Sequence, residues 1–142
     1  MPNHFHILVT PLVENGVSMF MNKVSTGHSM YFNNKYERTG SLFEGRFKAK
    51  HASEDEYLRY LYAYIHLNPV KLIQTNWKDI GIKDKDKALK YLRTYEHSSF
   101  QDYRGVRRNE NAILDVKNFP DYFPNQNEFE EAITDWFGVK NE

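Results

Sequence analysis

Apolar and polar positions alternate through the first ten residues: His4, His6 and Leu8 fall on one side of the chain, Phe5, Ile7 and Val9 on the other. A period of two predicts a strand over 4–9, limited by Pro11. From Val17 to Tyr36 the period lengthens. Val17, Phe20, Met21, Val24, His28, Tyr31 and Phe32 recur at helical spacing and predict a helix ending near "RTG". Ser41 to His51 returns to strand-like alternation, with Phe43, Phe47 and Ala49 on the side expected to pack and Arg46, Lys48 and Lys50 opposite. The stretch "SEDEYLRYLYAYIHLNP" predicts the clearest helix. Ser53 stands as its N-cap, Glu56 at the capping-box position, acids fill the first turn and Pro69 stops it. Asp84–Tyr95 and Asn127–Phe137 predict shorter helices, with a loop-rich stretch between them.

Two strands and several helices make an α+β chain. A strand at the fourth residue, with Phe5, Ile7 and Val9 to bury, needs sheet neighbours, and two strands alone are marginal. Either another chain supplies them, as in a homodimer, or the sequence lacks an N-terminal part of its sheet.

At 142 residues the chain has the length of one domain with a hydrophobic core, and no internal repeat or low-complexity tract divides it. It has no cysteine, which excludes disulfides, thiolate metal sites and cysteine nucleophiles and fits a cytoplasmic protein. The first residues carry neither a basic n-region nor a long apolar h-region, and no run approaches the length needed to span a bilayer. The net charge of zero is a sum of opposites. Residues 1–108 hold 17 lysines and arginines against 11 acids, while residues 109–142 hold 2 against 8. A basic body of this kind suits a polyanion partner; an unevenly charged solvated surface is the plain alternative.

A period of two puts His4 and His6 on one face, where two imidazoles can share a metal ion; half-buried histidines with ordinary hydrogen bonds give the same pattern. A metal site needs a third ligand. Four of the ten tyrosines, Tyr57, Tyr60, Tyr62 and Tyr64, crowd the 53–69 helix, where packing alone accounts for such a cluster. Tyr64 has Asn68 one turn on, and Tyr62 has His66 at the same spacing, so the two pairs compete as chemical candidates. Asn68, just before Pro69, can offer an amide oxygen to a metal held by the strand. Two imidazoles and an amide leave room for phosphate oxygens and water, a mixed set suited to manganese or, less ideally, magnesium. Tyrosine, with an ordinary pKa of about 10, needs such help to attack phosphorus at neutral pH.

These residues resemble a known family. "MPNHFHILV" is similar to the H-hydrophobic-H motif of the HUH single-strand endonucleases, in the form typical of REP-associated tyrosine transposases, relatives of the insertion-sequence-200-like transposases. "GSLFEGRFKAK" and "YIHLNPVK" resemble that group's next two motifs in the same order, and "YEHSSFQDYRG" its downstream region, so the likeness runs to about residue 105. The resemblance implies a ferredoxin-like antiparallel sheet with helices on one face and a C-terminal helical extension. It implies a core over 1–108 and an acidic extension over 109–142. It implies His4, His6 and Asn68 as metal ligands, Tyr64 as nucleophile, and a 5′-phosphotyrosine intermediate with a free 3′-hydroxyl, formed on single-stranded DNA beside a hairpin. Arg46, Lys48 and Lys50 become the phosphate-contacting face. The family also places a strand, a helix and a further stretch before "MPNH", so the resemblance leads one to expect an N-terminally truncated core. Three readings follow: a DNA nicking and strand-transfer enzyme; a catalytically inactive remnant that binds hairpin DNA through Arg46, Lys48, Lys50 and the basic 83–108 stretch; and a metal-binding or interaction protein without DNA. His28, His51, His66 and His97 read as structural.

Overall fold

The computed structural model describes residues 3–118, 122, 123 and 125–138. Among these no strand and no sheet ladder occurs, and the regular elements are helical. The expected ferredoxin-like antiparallel sheet is therefore absent among the described residues: 4–9 and 41–51 are irregular backbone, and the ordered elements are helices elsewhere in the chain. The reason is the one the alternation already hinted at. A period of two defines a face, but a strand forms only where a second backbone lies about 4.8 Å away to exchange N–H and C=O bonds. Among the described residues no ladder forms at 4–9 or 41–51, and side chains expected to pack are left largely exposed: Phe5 is 45 % exposed, Ile7 47 % and Phe47 41 %.

The chain divides into two units, residues 8–51 and a larger one made of the first seven residues with everything from Ala52 on. The smaller unit is one helix and its return. Helix α1, Gly16–Lys35, ends where Glu37 takes a positive φ of 49°, and Asn33 Nδ2 donates to the Gly40 carbonyl at 2.9 Å to close the turn. His28 packs its ring against Phe43 at 6.1 Å, which brings the return segment onto the helix. None of the described residues of this unit is buried.

The larger unit holds the core. Helix α2, Asp55–Leu67, runs into a tight 3-10 turn over Asn68–Leu72, because Pro69 has no N–H to continue the α ladder. Its N-cap is Glu54 rather than Ser53, and neither residue caps the helix by its side chain; the Ser53 hydroxyl instead donates to the Glu54 carboxylate at 3.2 Å. Asp55 and Glu56 then complement the positive end of the helix from its first turn. A single turn, α3, covers Trp77–Ile80, and α4, Lys85–Thr94, begins at Asp84, whose carboxylate accepts from the Lys87 N–H at 2.9 Å. Another single turn, α5, covers Phe100–Tyr103, and α6, Gln126–Asp135, starts at Asn125, whose side-chain oxygen accepts from the N–H groups of Asn127 and Glu128.

Residues four apart bury one stripe of each helix: Ala63 and Leu67 of α2, Ala88 and Leu92 of α4, Phe129 and Ile133 of α6 followed by Phe137, with Trp77 and Phe100 between them. Gly81 matters here. Its φ is +76°, and a Cβ added to it would meet the Phe137 carbonyl oxygen at 3.3 Å, the oxygen that also accepts from the Ile82 N–H at 2.9 Å.

The acidic segment is woven into this unit. Glu130 on α6 accepts from Arg93 at 2.6 Å and pairs with Arg104 as well, and Arg108 clamps the 96–102 loop by donating to Asp102 and to the carbonyls of Glu96 and Ser98. Three arginines of the basic 83–108 stretch are thus engaged in internal ion pairs.

Candidate functional site

The four tyrosines of α2 separate onto two faces. Tyr57, Tyr60 and Tyr64, spaced three and four apart, pass ring to ring along one side, with centroids 6.1 and 5.8 Å apart. Tyr62 points the other way, into a cage of Tyr103, Tyr122 and Phe123 rings, and is 5 % exposed. Burial first, and then Tyr103, pushes the Tyr62 hydroxyl well above the usual phenol range.

His66 completes that buried face. Its Nδ1 donates to the Tyr62 carbonyl at 2.8 Å, and because a carbonyl can only accept, Nε2 is left to accept from the Ser99 hydroxyl at 2.8 Å. Burial lowers its pKa to about 4, so the ring is held neutral. Both nitrogens are spoken for, and the rings of Phe129 and Tyr103 close on it at 5.2 and 5.3 Å.

Tyr64 is half-buried and faces chemistry of a different kind. The His6 ring stands edge-on to it at 5.5 Å, and His4 stands edge-on to His6 at 5.3 Å. Both histidines belong to the same unit as α2. His6 is held below the usual imidazole range by partial burial first, then by His4 and Lys78, which favours its neutral form. The Tyr64 hydroxyl accepts from Lys78 Nζ at 2.9 Å, and the ammonium lies 4.1 Å from the ring centroid.

Asn68 sits one turn past Tyr64, with its backbone N–H on the Tyr64 carbonyl. It is 4 % exposed, and its Nδ2 is buried with no hydrogen-bond partner. Turned over, the amide would present its oxygen at that place, the atom a divalent cation takes. Among the described residues no three His, Cys, Asp or Glu gather into a metal-binding group. A site here therefore needs an amide as its third donor. The His4 and His6 rings lie 5.3 Å apart, and the unsatisfied Asn68 amide stands one turn from the tyrosine that His6 touches; imidazole nitrogen and amide oxygen are donor types such a cation takes.

Arg46, Lys48 and Lys50 lie exposed in the smaller unit, in backbone that is neither helix nor strand. Sequence reasoning passed over Lys78. It lies in "TNWKDI", which shows no periodicity, and its bond to Tyr64 spans 14 residues that no spacing rule connects. The one available hint is Trp77 beside it, a large apolar residue in an otherwise polar loop and 3 % exposed in the structure.

Residues 1–68 match the family model described as IS200-like transposase. The matched segment contains His4, His6, Arg46, Lys48, Lys50, Tyr64 and Asn68 and ends at the last of them. No curated protein and no solved structure matches the chain.

Proposed function

We propose that this chain, whose residues 1–68 belong to the IS200-like transposase family, nicks single-stranded DNA and transfers the strand through Tyr64. A transposase acts on DNA; the finer reading rests on one observation, that the His4–His6 pair meets α2 at Tyr64 and not at Tyr62. Tyr64 is part-buried, with the His6 ring against its own ring, His4 beyond His6, and the Lys78 ammonium on its hydroxyl. Tyr62, by contrast, is enclosed by aromatic rings with its proton held tightly.

In this reading the Tyr64 oxygen attacks a backbone phosphorus, the bond to the 3′-oxygen breaks, and the chain holds the 5′-phosphate as a tyrosyl ester while a 3′-hydroxyl departs. The bond energy is retained, so rejoining needs no nucleotide. His4, His6 and Asn68 would hold a manganese or magnesium ion, which when bound polarises the phosphate and offsets its charge. The His6–Tyr64 edge contact fixes the phenol ring, and Asn68 and Tyr64 keep their relation because they are successive turns of one helix. Arg46 and Lys48 supply backbone phosphate contacts without reading sequence, and a hairpin beside the cut site is the substrate form the family resemblance implies.

The test is a denaturing gel of protein incubated with labelled single-stranded hairpin oligonucleotides and manganese. The parent forms a covalent protein–DNA band, Tyr64→Phe and His6→Ala do not, and Tyr62→Phe still does. A band retained by Tyr64→Phe but lost in Tyr62→Phe would reverse the assignment. Salt-sensitive hairpin binding without any band would leave the DNA-binding remnant as the function.

A further inference from the structure

Lys78 lies outside the matched segment, yet it is the group bonded to the oxygen on which the proposed chemistry turns. We infer that Lys78 is a catalytic residue that orients the Tyr64 hydroxyl and stabilises that oxygen as it leaves phosphorus during strand joining; the inference rests on the function proposed above.

The geometry carries it. Lys78 is not a free surface lysine: it follows Trp77, whose side chain is locked in the core at 3 % exposure, it is itself part-buried, and its Nζ stands over the Tyr64 ring 4.1 Å from the centroid. From there Nζ donates to Oη at 2.9 Å. An ammonium has only donors, so Oη must accept. One lone pair is thereby fixed on Lys78, and the phenolic proton and the other lone pair are turned away from it. That removes the free rotation of the nucleophile.

In cleavage, Oη forms a bond to phosphorus, the phosphorus–O3′ bond breaks, the phenolic proton passes to solvent and the departing 3′-oxygen takes a proton from solvent. Joining reverses this. An incoming 3′-hydroxyl attacks phosphorus and loses its proton to solvent, while the phosphorus–Oη bond breaks and leaves its electron pair on Oη as phenolate, which then recovers a proton. The ammonium already gives this bond one charge; when Oη takes the electron pair as phenolate the contact becomes an ion pair, and Coulomb attraction adds to the hydrogen bond. Lys78 therefore helps most where Oη carries that charge, in its departure during joining.

The experiment measures single-turnover adduct formation, strand joining and oligonucleotide affinity for the parent, Lys78→Met, Lys78→Gln and Lys78→Arg, with manganese and a single-stranded hairpin. Loss of one preorganised donor to a developing oxyanion predicts joining slowed about 100-fold in Lys78→Met, with unchanged DNA affinity. Lys78→Arg should recover part of the rate. Ethylammonium ions added to Lys78→Ala should restore joining where ethanol does not, a response that a purely structural lysine would not give. Lys78→Gln, which keeps a donor without the charge, decides the case if Lys78→Met does not fold. Joining at the parent's rate in Lys78→Met or Lys78→Gln, or a loss that appears only as weaker DNA binding, overturns the role. If the parent forms no adduct at all, the proposed function fails and this role falls with it; if the parent forms it and the variants match, only this role fails.

Discussion

His66 gives the structure a measurable acid weakness. In the unfolded chain its imidazole has the ordinary value of 6.5; in the folded unit burial lowers it to about 4, with only part of that shift offset by the Tyr62 carbonyl and the Asp102 carboxylate. The ring is also faced by Tyr62 and Tyr103, neither of which changes charge below neutral pH. Below pH 6.5 the unfolded chain binds a proton that the folded chain refuses. Stability is therefore full above 6.5 and falls as the pH drops towards 4. Between pH 7 and pH 5 the two titration curves separate by a little over one decade, a loss of about 2 kcal/mol. Trp77 and Trp136 are the chain's two tryptophans and both lie in the larger unit, so their fluorescence in urea follows that unit alone. His66→Gln cannot titrate. It should be less stable than the parent at pH 7, because Ser99 and the Tyr62 carbonyl lose well-placed partners, but its stability should fall by about 2 kcal/mol less on going to pH 5. Equal losses in parent and variant would mean that His66 takes its proton in the folded state, and the argument that its pair with Tyr62 is purely structural would fail.

Two further perturbations test other parts of the account. Phe129 is fully buried on α6 among Phe100, Tyr103, His66 and Phe123, so Phe129→Ala should cost about 3–5 kcal/mol in urea unfolding of the larger unit; a cost near zero would place α6 outside the core. Arg46→Ala and Lys48→Ala should each weaken single-stranded DNA binding at every sequence and lower the slope of log affinity against log salt by about 0.7, measured by fluorescence anisotropy. An unchanged slope would mean that these side chains only solvate the smaller unit.

Helices were legible where a stripe of apolar residues is enough to define them. The helices expected over Asp84–Tyr95 and Asn127–Phe137 appear as α4 and α6, and α2 stops at Pro69 as expected, all from interactions within a few residues of each other. The sheet expectation failed because His4–Val9 alternates whether or not a neighbouring strand exists, and pairing is a property of two segments; among the described residues no strand forms. Ser53 fits the capping box as written, but α2 begins at Asp55 and the pattern slides past its start. For the site, the one-turn relation of Tyr64 to Asn68 follows from helical geometry, while the choice between Tyr64 and Tyr62 depends on which face of α2 meets the core. The charge contrast between the basic 83–108 stretch and the acidic 109–142 segment is met at one point by ion pairs, since Glu130 meets Arg93 and Arg104. Lys78 was not legible because its contact with Tyr64 spans 14 residues and only the neighbouring Trp77 sets its segment apart.

The most direct measurement of the central claim is peptide mapping by tandem mass spectrometry of the covalent adduct formed on a single-stranded hairpin with manganese. The account predicts a 5′-phosphonucleotide on Tyr64, in the peptide that also contains Tyr62, and a released strand ending in a 3′-hydroxyl. An adduct on Tyr62 or on any other side chain, or a phosphate left on the 3′ end of the released strand, would contradict it.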